Sequence, residues 1–410
     1  MGKKDIIAAI DIGSSKVVAL IAIVEDGGIN IVGIGQHPSN GVSKGQIINI
    51  DKTTNDIQEA MNSATLMAGV KFTRLYVGIG GGHIETITSK GMVAIQRGNI
   101  PITKEDVGRV IEQAKAIAIP TDREISHIIP QEFKVNEEIE TNDPIGMTGI
   151  RLEGNIKIIT SSSYSVQNIK RCIEKAHLKN AIYVVNPIAS AYATFDENEK
   201  KMGAIMLDIG AETTSIVIYE KGNLRYVGVV EIGGEFITKD IVYGLNTTRE
   251  NAENFKINYG CARLDMVDDN EIIEVPGVSG RAPRKISKQE FIQIIEPRTR
   301  EILELAYAKI IKESDVPIDR IGAGLILTGG TANLPGISEL GEDIFNLRGR
   351  IGNPMGVSGI GENIYDPAFS TSVGLIKYAV TEEGTSESSR GMSRPQEGWI
   401  KKIFDWLKDI

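Results

Sequence analysis

Apolar residues in this chain fall into two patterns. Some form short unbroken runs that end in glycine-bearing turns. Others recur every three to four positions over longer stretches. Residues 17–24 and 29–34 are apolar runs around Asp26, Gly27 and Gly28, and with the run before them they read as a strand meander. Residues 53–69 have helical spacing, with Asn55 or Asp56 as the expected cap and Gly69 as the stop. Residues 74–80 read as a buried strand. Residues 82–160 differ in character: Ile and Val alternate with polar residues, one helix is expected at 103–119, and a strand returns at 128–136. Helices follow at 166–176 and 186–195. The plan then repeats, with a strand–turn–strand unit at 204–230, helices at 233–245 and 248–260, and a long helical stretch at 288–314 in which Pro297 can introduce a bend. A last strand lies within 324–337. Residues 381–398 are small, polar and without apolar anchors. They read as a flexible linker, and about 18 such residues span roughly 20–25 Å.

The repeat matters because both copies carry the same turn. Residues 6–16 (IIAAIDIGSSK) and 204–214 (AIMLDIGAETT) each run an apolar strand into Asp-Ile-Gly and then small hydroxyl residues. Such a turn can aim backbone N–H groups at a phosphate while its aspartate holds a metal ion, directly or through water. A single copy is most simply a hairpin. Two copies in distant halves point to two related domains closing on one nucleotide. A further glycine cluster at residues 78–83 (GIGGGH) is not a dinucleotide fingerprint, because a strand pattern and not a helix follows it.

Composition narrows the function. The 410 residues carry a net charge of −9 and only 5% aromatic residues, which argues against a nucleic-acid partner. Cys172 and Cys261 stand alone, as in a reducing compartment, and His37, His83, His127 and His177 have no metal-ligand spacing. No stretch approaches the roughly 20 apolar residues of a spanning helix. A secretory leader is not expected, because Asp11 interrupts the first apolar run early.

Five motifs in order resemble the actin superfamily of ATP-binding proteins: DIGSSK, DIGAET, the adenosine loop LTGGTANLPG, and the connecting helices NPIASAYATF and FSTSVGL. The resemblance implies an α/β fold of duplicated actin-like (ribonuclease H-like) domains, with ATP and Mg2+ as cofactors. Asp11 and Asp208 are expected to approach the metal, mostly through its waters. Gly13, Ser14, Ser15 and Lys16 on one side, and Gly210, Ala211, Glu212, Thr213 and Thr214 on the other, would cradle the phosphates. Gly233, Gly234, Gly329, Gly330, Thr331 and Leu334 would surround the nucleoside, and Glu253 and Lys256 would reach ribose and adenine. Asn186 stands where chaperones and MreB filaments of the superfamily carry a glutamate. An amide cannot act as a general base and can only orient a water, so no catalytic residue is assigned and any ATP turnover is expected to be weak or slow.

The α+β insert after the strand at 74–80 is a feature of the FtsA family of bacterial cell-division proteins, which this chain resembles over nearly its whole length. The resemblance implies a first actin-like domain at 1–83, 161–196 and 371–380. It also implies an inserted subdomain at 84–160, and a second actin-like domain at 197–232 and 307–370 with its small subdomain at 233–306. A flexible linker would cover 381–397 and a membrane-targeting helix 398–410. It implies a protein that polymerises, tethers FtsZ filaments to the inner face of the cytoplasmic membrane and recruits later division proteins through its insert. The FtsZ C-terminal tail would dock on the small subdomain, with Arg281, Arg284, Lys285, Lys288, Arg298 and Arg300 as basic candidates, foremost Lys288, Arg298 and Arg300. An ordinary solvated basic face is the alternative for these residues. A sugar kinase would need a carboxylate base in the cleft, a chaperone would need a further peptide-binding domain, and a PilM-like pilus assembly protein shares the fold.

The last 13 residues supply the membrane argument independently of the resemblance. On a helical projection Trp399, Ile400, Ile403, Phe404, Trp406, Leu407 and Ile410 fall within about 160°, and every charged residue falls opposite. Both tryptophans of the chain are here, at the face expected to enter the headgroup layer of anionic lipids. One short helix binds reversibly, and self-assembly would multiply its avidity. A Trp399→Glu, Phe404→Glu variant is expected to lose roughly tenfold or more of its sedimentation with anionic vesicles. Full sedimentation of that variant would remove the anchor.

Overall fold

In the computed structural model, which describes residues 5–95, 100–117, 119–268, 271–276 and 283–387, the opening apolar run is β1 (Asp5–Ile12). Its residues 7–10 are wholly buried, as in a strand covered on both faces. It pairs with β2 (Lys16–Glu25), which turns through Asp26 and Gly27, both at positive φ, into β3 (Gly28–Pro38). A small hairpin of β4 (Val42–Ser43) and β5 (Gln46–Ile47) leads to α1 (Ile50–Ala68) and β6 (Arg74–Ile79). Asn49 caps α1 by accepting from Lys52 N, and Gly69 closes it in the left-handed region. The cap expected at Asn55 or Asp56 is therefore corrected. The helix begins a turn earlier, and Asp56 is buried inside it, where it accepts from Asn40 N at 2.7 Å.

Residues 85–162 form β7 (Glu85–Ala94), α2 (Lys104–Lys115), β8 (Arg123–Val135), β9 (Ile139–Thr141) and β10 (Arg151–Ser162). The strands make an antiparallel sheet of order β7-β10-β8-β9, and α2 packs on it around a core of Val107, Val110, Phe133, Leu152 and Ile158. Gly91 lets that helix approach: a Cβ there would lie 1.9 Å from Val110 O.

The chain continues through α3 (Ser163–Lys175), β11 (Ala181–Val185), α4 (Asn186–Thr194) and α5 (Glu197–Met202) into the second meander. This comprises β12 (Ala204–Ile209), β13 (Thr214–Glu220) and β14 (Asn223–Val230). Then come α6 (Gly234–Leu245), α7 (Arg249–Tyr259), the hairpin β15 (Ile272–Val275) and β16 (Arg284–Ser287), and α8 (Lys288–Glu313), which runs through Pro297. The last elements are β17 (Gly324–Thr328), α9 (Ile337–Phe345), β18 (Gly349–Ile351), β19 (Ser358–Gly359) and α10 (Ser370–Glu387).

The duplication is visible in strand direction. One sheet has the order β11-β6-β1-β2-β3-β19 and the other β14-β13-β12-β17-β18. In both, the central strand is antiparallel to the next strand of its meander and parallel to the strand on its other side: β1 to β2 and β6, β12 to β13 and β17. One apolar core runs from the first sheet to one face of the second, where it takes in Met206 and Val217, and another core covers the second sheet's opposite face around Ile205 and Leu207. The inserted sheet touches both halves. His127 Nε2 accepts from Val185 N at 3.2 Å in the first. Lys157 Nζ pairs with Asp315 at 2.9 Å, and Arg225 with Glu132, in the second.

Helix α10 differs from expectation. It continues to Glu387, so the first seven residues of the segment read as a linker (381–397) are helical. Extending a helix already anchored by buried Val373, Leu375, Ile376 and Ala379 avoids the nucleation cost that an isolated polar segment would face. Residues 388–410, and with them Trp399, Ile400, Ile403, Phe404, Trp406, Leu407 and Ile410, lie outside the described residues.

The two halves are joined where α4 and α10 cross. At Gly374 a Cβ would lie 1.7 Å from Ala189 O, so no side chain fits. Gly374→Ala is expected to cost about 2 kcal/mol through backbone displacement, read as a lower urea midpoint. An unchanged midpoint would show that the crossing yields freely.

Candidate functional site

The C-terminal ends of β1 and β12 deliver Asp11 and Asp208 to one cavity of about 660 Å³. The turns beyond them are built alike. Gly13 N donates to Lys16 O at 3.1 Å, and Gly210 N donates to Thr213 O at 2.9 Å. Helix α4 reaches both aspartates from residues one turn apart: Asn186 Nδ2 donates to Asp11 Oδ1 at 3.3 Å, and Ser190 Oγ donates to Asp208 Oδ2. Thr371, at the start of α10, donates to the same Asp208 oxygen at 3.1 Å and lies 2.9 Å from Ser190 Oγ. Both connecting helices therefore fasten onto one carboxylate.

Burial pushes Asp11 up to about 7, and the negative charge of Asp208 adds to the effect, while Lys16 and Asn186 oppose it. Burial likewise raises Asp208 above the usual carboxylate range against the hydroxyls of Ser190 and Thr371. Burial lowers Lys16, and Asp11 and Asp366 pull it back. Its Nζ donates to Gln36 Oε1 at 3.2 Å and lies 4.4 Å from the Phe369 ring centroid. Two half-buried, mutually repelling carboxylates call for added positive charge. No cluster of three or more His, Cys, Asp or Glu suited to a metal exists among the described residues. The pair thus fits Mg2+, which uses one or two carboxylates and takes its other oxygens from water and phosphate. Asn186 Oδ1 is buried beside them without a hydrogen-bond partner, and Gly78 makes room for it: a Cβ there would be 2.1 Å away. Gly329, at φ +84°, leaves similar room beside Asp208.

Of the residues expected to hold nucleotide, Asp11, Gly13, Ser14, Ser15, Lys16, Asp208, Gly210, Ala211, Glu212 and Thr213 line the part of the cavity around the two Asp-Ile-Gly turns. Gly234, Glu253, Lys256, Gly329, Gly330, Thr331 and Leu334 line the remainder. Two do not line it. Thr214 is buried with its hydroxyl on Ile232 O at 2.8 Å, because strand alternation turns it inward. Gly233 is packed behind the second loop, where a Cβ would meet Gly210 O at 2.5 Å. Gln36, Glu235, Arg249, Asn363, Asp366 and Phe369 also line the cavity. Phe369 opens the FSTSVGL motif; the others lie outside the five motifs, and only tertiary folding brings them in. Glu253 accepts from Thr238 Oγ1 and from Lys256 Nζ at 2.8 Å, and Lys256 also donates to Gly234 O at 3.1 Å, so this wall is held in place internally.

Three of the basic candidates on the small subdomain hold an acidic partner, while Arg284 donates to Gly244 O at 3.4 Å. Lys288 pairs with Glu271 at 2.7 Å, Arg298 with Asp240 at 2.6 Å, and Arg300 with Glu296 at 3.2 Å. Arg281 lies outside the described residues.

A family model described as cell division protein FtsA matches residues 205–374, and one described as the SHS2 domain inserted in FtsA matches residues 81–160. The cell division protein FtsA of Neisseria meningitidis is 41% identical over 98% of both chains. This chain belongs to the FtsA family of cell-division proteins. Among solved structures, the PilM-PilN type IV pilus biogenesis complex is similar with a TM-score of 0.60 at 17% identity, covering 93% of this chain and 99% of that one. MreB5 of Spiroplasma citri bound to ADP is similar with a TM-score of 0.54 at 13% identity, covering 94% and 98%. These likenesses show the fold: the chain is an actin-like FtsA-family protein carrying the family's inserted domain. No helix among the described residues is long and apolar enough to cross a membrane.

Burial of Asp11 in the cleft, with the charge of Asp208 adding to it, sets a pH dependence. Asp11 titrates near 7 when folded and near 3.8 when unfolded. Above the lower value the unfolded chain ionises first, so the folded state loses stability as pH rises through this window. Asp11→Asn is expected to make the ligand-free protein more stable than the unaltered chain at pH 8, and by a smaller margin at pH 5, in urea unfolding. An equal margin at both would show that Asp11 is not strained by its charge.

Proposed function

We propose that this chain binds ATP with Mg2+ in the cleft, assembles into filaments, and tethers FtsZ filaments to the cytoplasmic face of the membrane. The observation that carries the reading is the convergence of two like Asp-Ile-Gly turns, one from each half, on a single cavity. Asp11 and Asp208 would hold the metal, and the two loops would present N–H and hydroxyl groups to the phosphates. Bound Mg2+ would neutralise the carboxylates and the phosphates together. The nucleoside would lie against Gly234, Glu253, Lys256 and Leu334. The ADP in the similar MreB5 structure supports a nucleotide for this fold.

ATP acts here chiefly as an assembly ligand. Asn186 lines the cleft beside Asp11 and already donates its N–H to that carboxylate, and its amide cannot accept a proton from water. Assembly would gather weak terminal helices on one filament and so give the avidity that a single helix lacks. The small subdomain around Lys288, Arg298 and Arg300 would receive the FtsZ tail, and the insert would receive later division proteins. The match of the insert and the full-length relatives favour this reading over a pilus assembly role.

The test is flotation of purified FtsZ with vesicles containing phosphatidylglycerol, in the presence of this protein, ATP and Mg2+. FtsZ is expected to float with the unaltered chain and to drop by roughly tenfold with Asp208→Asn, whose cleft loses one metal-holding carboxylate. Failure of FtsZ to float with the unaltered protein would reject the tethering role.

A further inference from the structure

The hairpin tip between β4 and β5 is two residues long, and both Lys44 and Gly45 have positive φ, at 50° and 71°. Such a turn favours Asn, Asp or Gly at its first position. A lysine held there is a backbone outlier, and its contacts suggest why it is held. Gly45 N donates to Ser14 Oγ at 2.9 Å, in the first phosphate loop. Lys44 N donates to Glu212 Oε2 at 2.6 Å, in the second phosphate loop, 168 residues away. Lys44 Nζ donates to Glu231 Oε2 at 3.1 Å, just beyond β14. One turn thus binds both halves at the mouth of the cleft. The halves are close beside it, since a Cβ on Gly82 would lie 2.6 Å from the Glu231 side chain.

We propose that the Lys44–Gly45 turn is a latch across the cleft that makes retention of nucleotide depend on the outermost phosphate. The proposal rests on the nucleotide reading above. If the nucleoside occupies the end lined by Glu253, Lys256 and Leu334, the last phosphate of a nucleoside triphosphate lies toward Ser14 and Glu212. The Ser14 oxygen accepts from Gly45, so its own proton is left to donate to an anion. The Glu212 carboxylate would repel that phosphate, but the Lys44 N–H holds one of its oxygens, while the Lys44 cation is held on Glu231 at the same turn. A triphosphate therefore completes a chain from Gly45 through Ser14 to the phosphate and closes the latch. A diphosphate does not reach it.

Stopped-flow displacement of fluorescent ATP and fluorescent ADP, each with Mg2+, from the full chain tests this. Lys44→Glu places a carboxylate against Glu231 and is expected to speed ATP release by about tenfold and ADP release by less than about twofold. Retained ADP binding in that variant shows that it is folded. Adding Glu231→Lys restores an opposite pair across the mouth and should return ATP release to within about threefold of the unaltered rate. Equal acceleration for both nucleotides, or no recovery in the double variant, overturns the latch. Absence of ATP binding by the unaltered protein overturns the nucleotide reading itself and the latch with it.

Discussion

Two carboxylates, Asp11 and Asp208, sit half-buried within reach of each other's charge, and the two connecting helices serve to keep them there. Left alone, such a pair would separate or protonate. Instead α4 bonds one with Asn186 and the other with Ser190, and α10 adds Thr371 to the second. The two helices that join the halves are therefore the same two that hold the acids in place. Positive charge entering the cleft relieves the repulsion and acts at once on the junction between the halves.

That arrangement explains why the crossing is so close. Gly374, with no side chain, packs against the Ala189 backbone and brings α4 and α10 near enough for Ser190 and Thr371 to share one oxygen of Asp208. The inserted sheet adds a connection away from this crossing. It is rooted on the first half through His127 and rests on the second through Lys157 and Arg225. In an FtsA-family protein this gives the insert mechanical contact with both walls of the cleft.

Much of the site was legible because its chemistry is local. Asp-Ile-Gly after an apolar strand is a turn signal within six residues, and both copies fold as read, down to the same hydrogen bond from glycine to the residue three positions on. The α1 cap was misplaced because Asn55 and Asp56 have the chemistry of a cap, and only packing shows that Asp56 faces Asn40. Thr214 shares the motif with Thr213 but alternates to the opposite face of its strand. Lys288, Arg298 and Arg300 read as a basic face until each is seen with its acid.

By itself the amino-acid order determined the duplicated meander, the two acidic turns, the place of the insert and the amphipathic pattern of the last 13 residues. Each is written in periodicity or turn chemistry, which act over a few positions along the chain. Tertiary structure alone decided which groups meet across 150 residues or more: Asn186 on Asp11, Thr371 on Asp208, Lys44 on Glu212. Burial and Coulomb interaction depend on distance in space, and no spacing in the sequence encodes that distance.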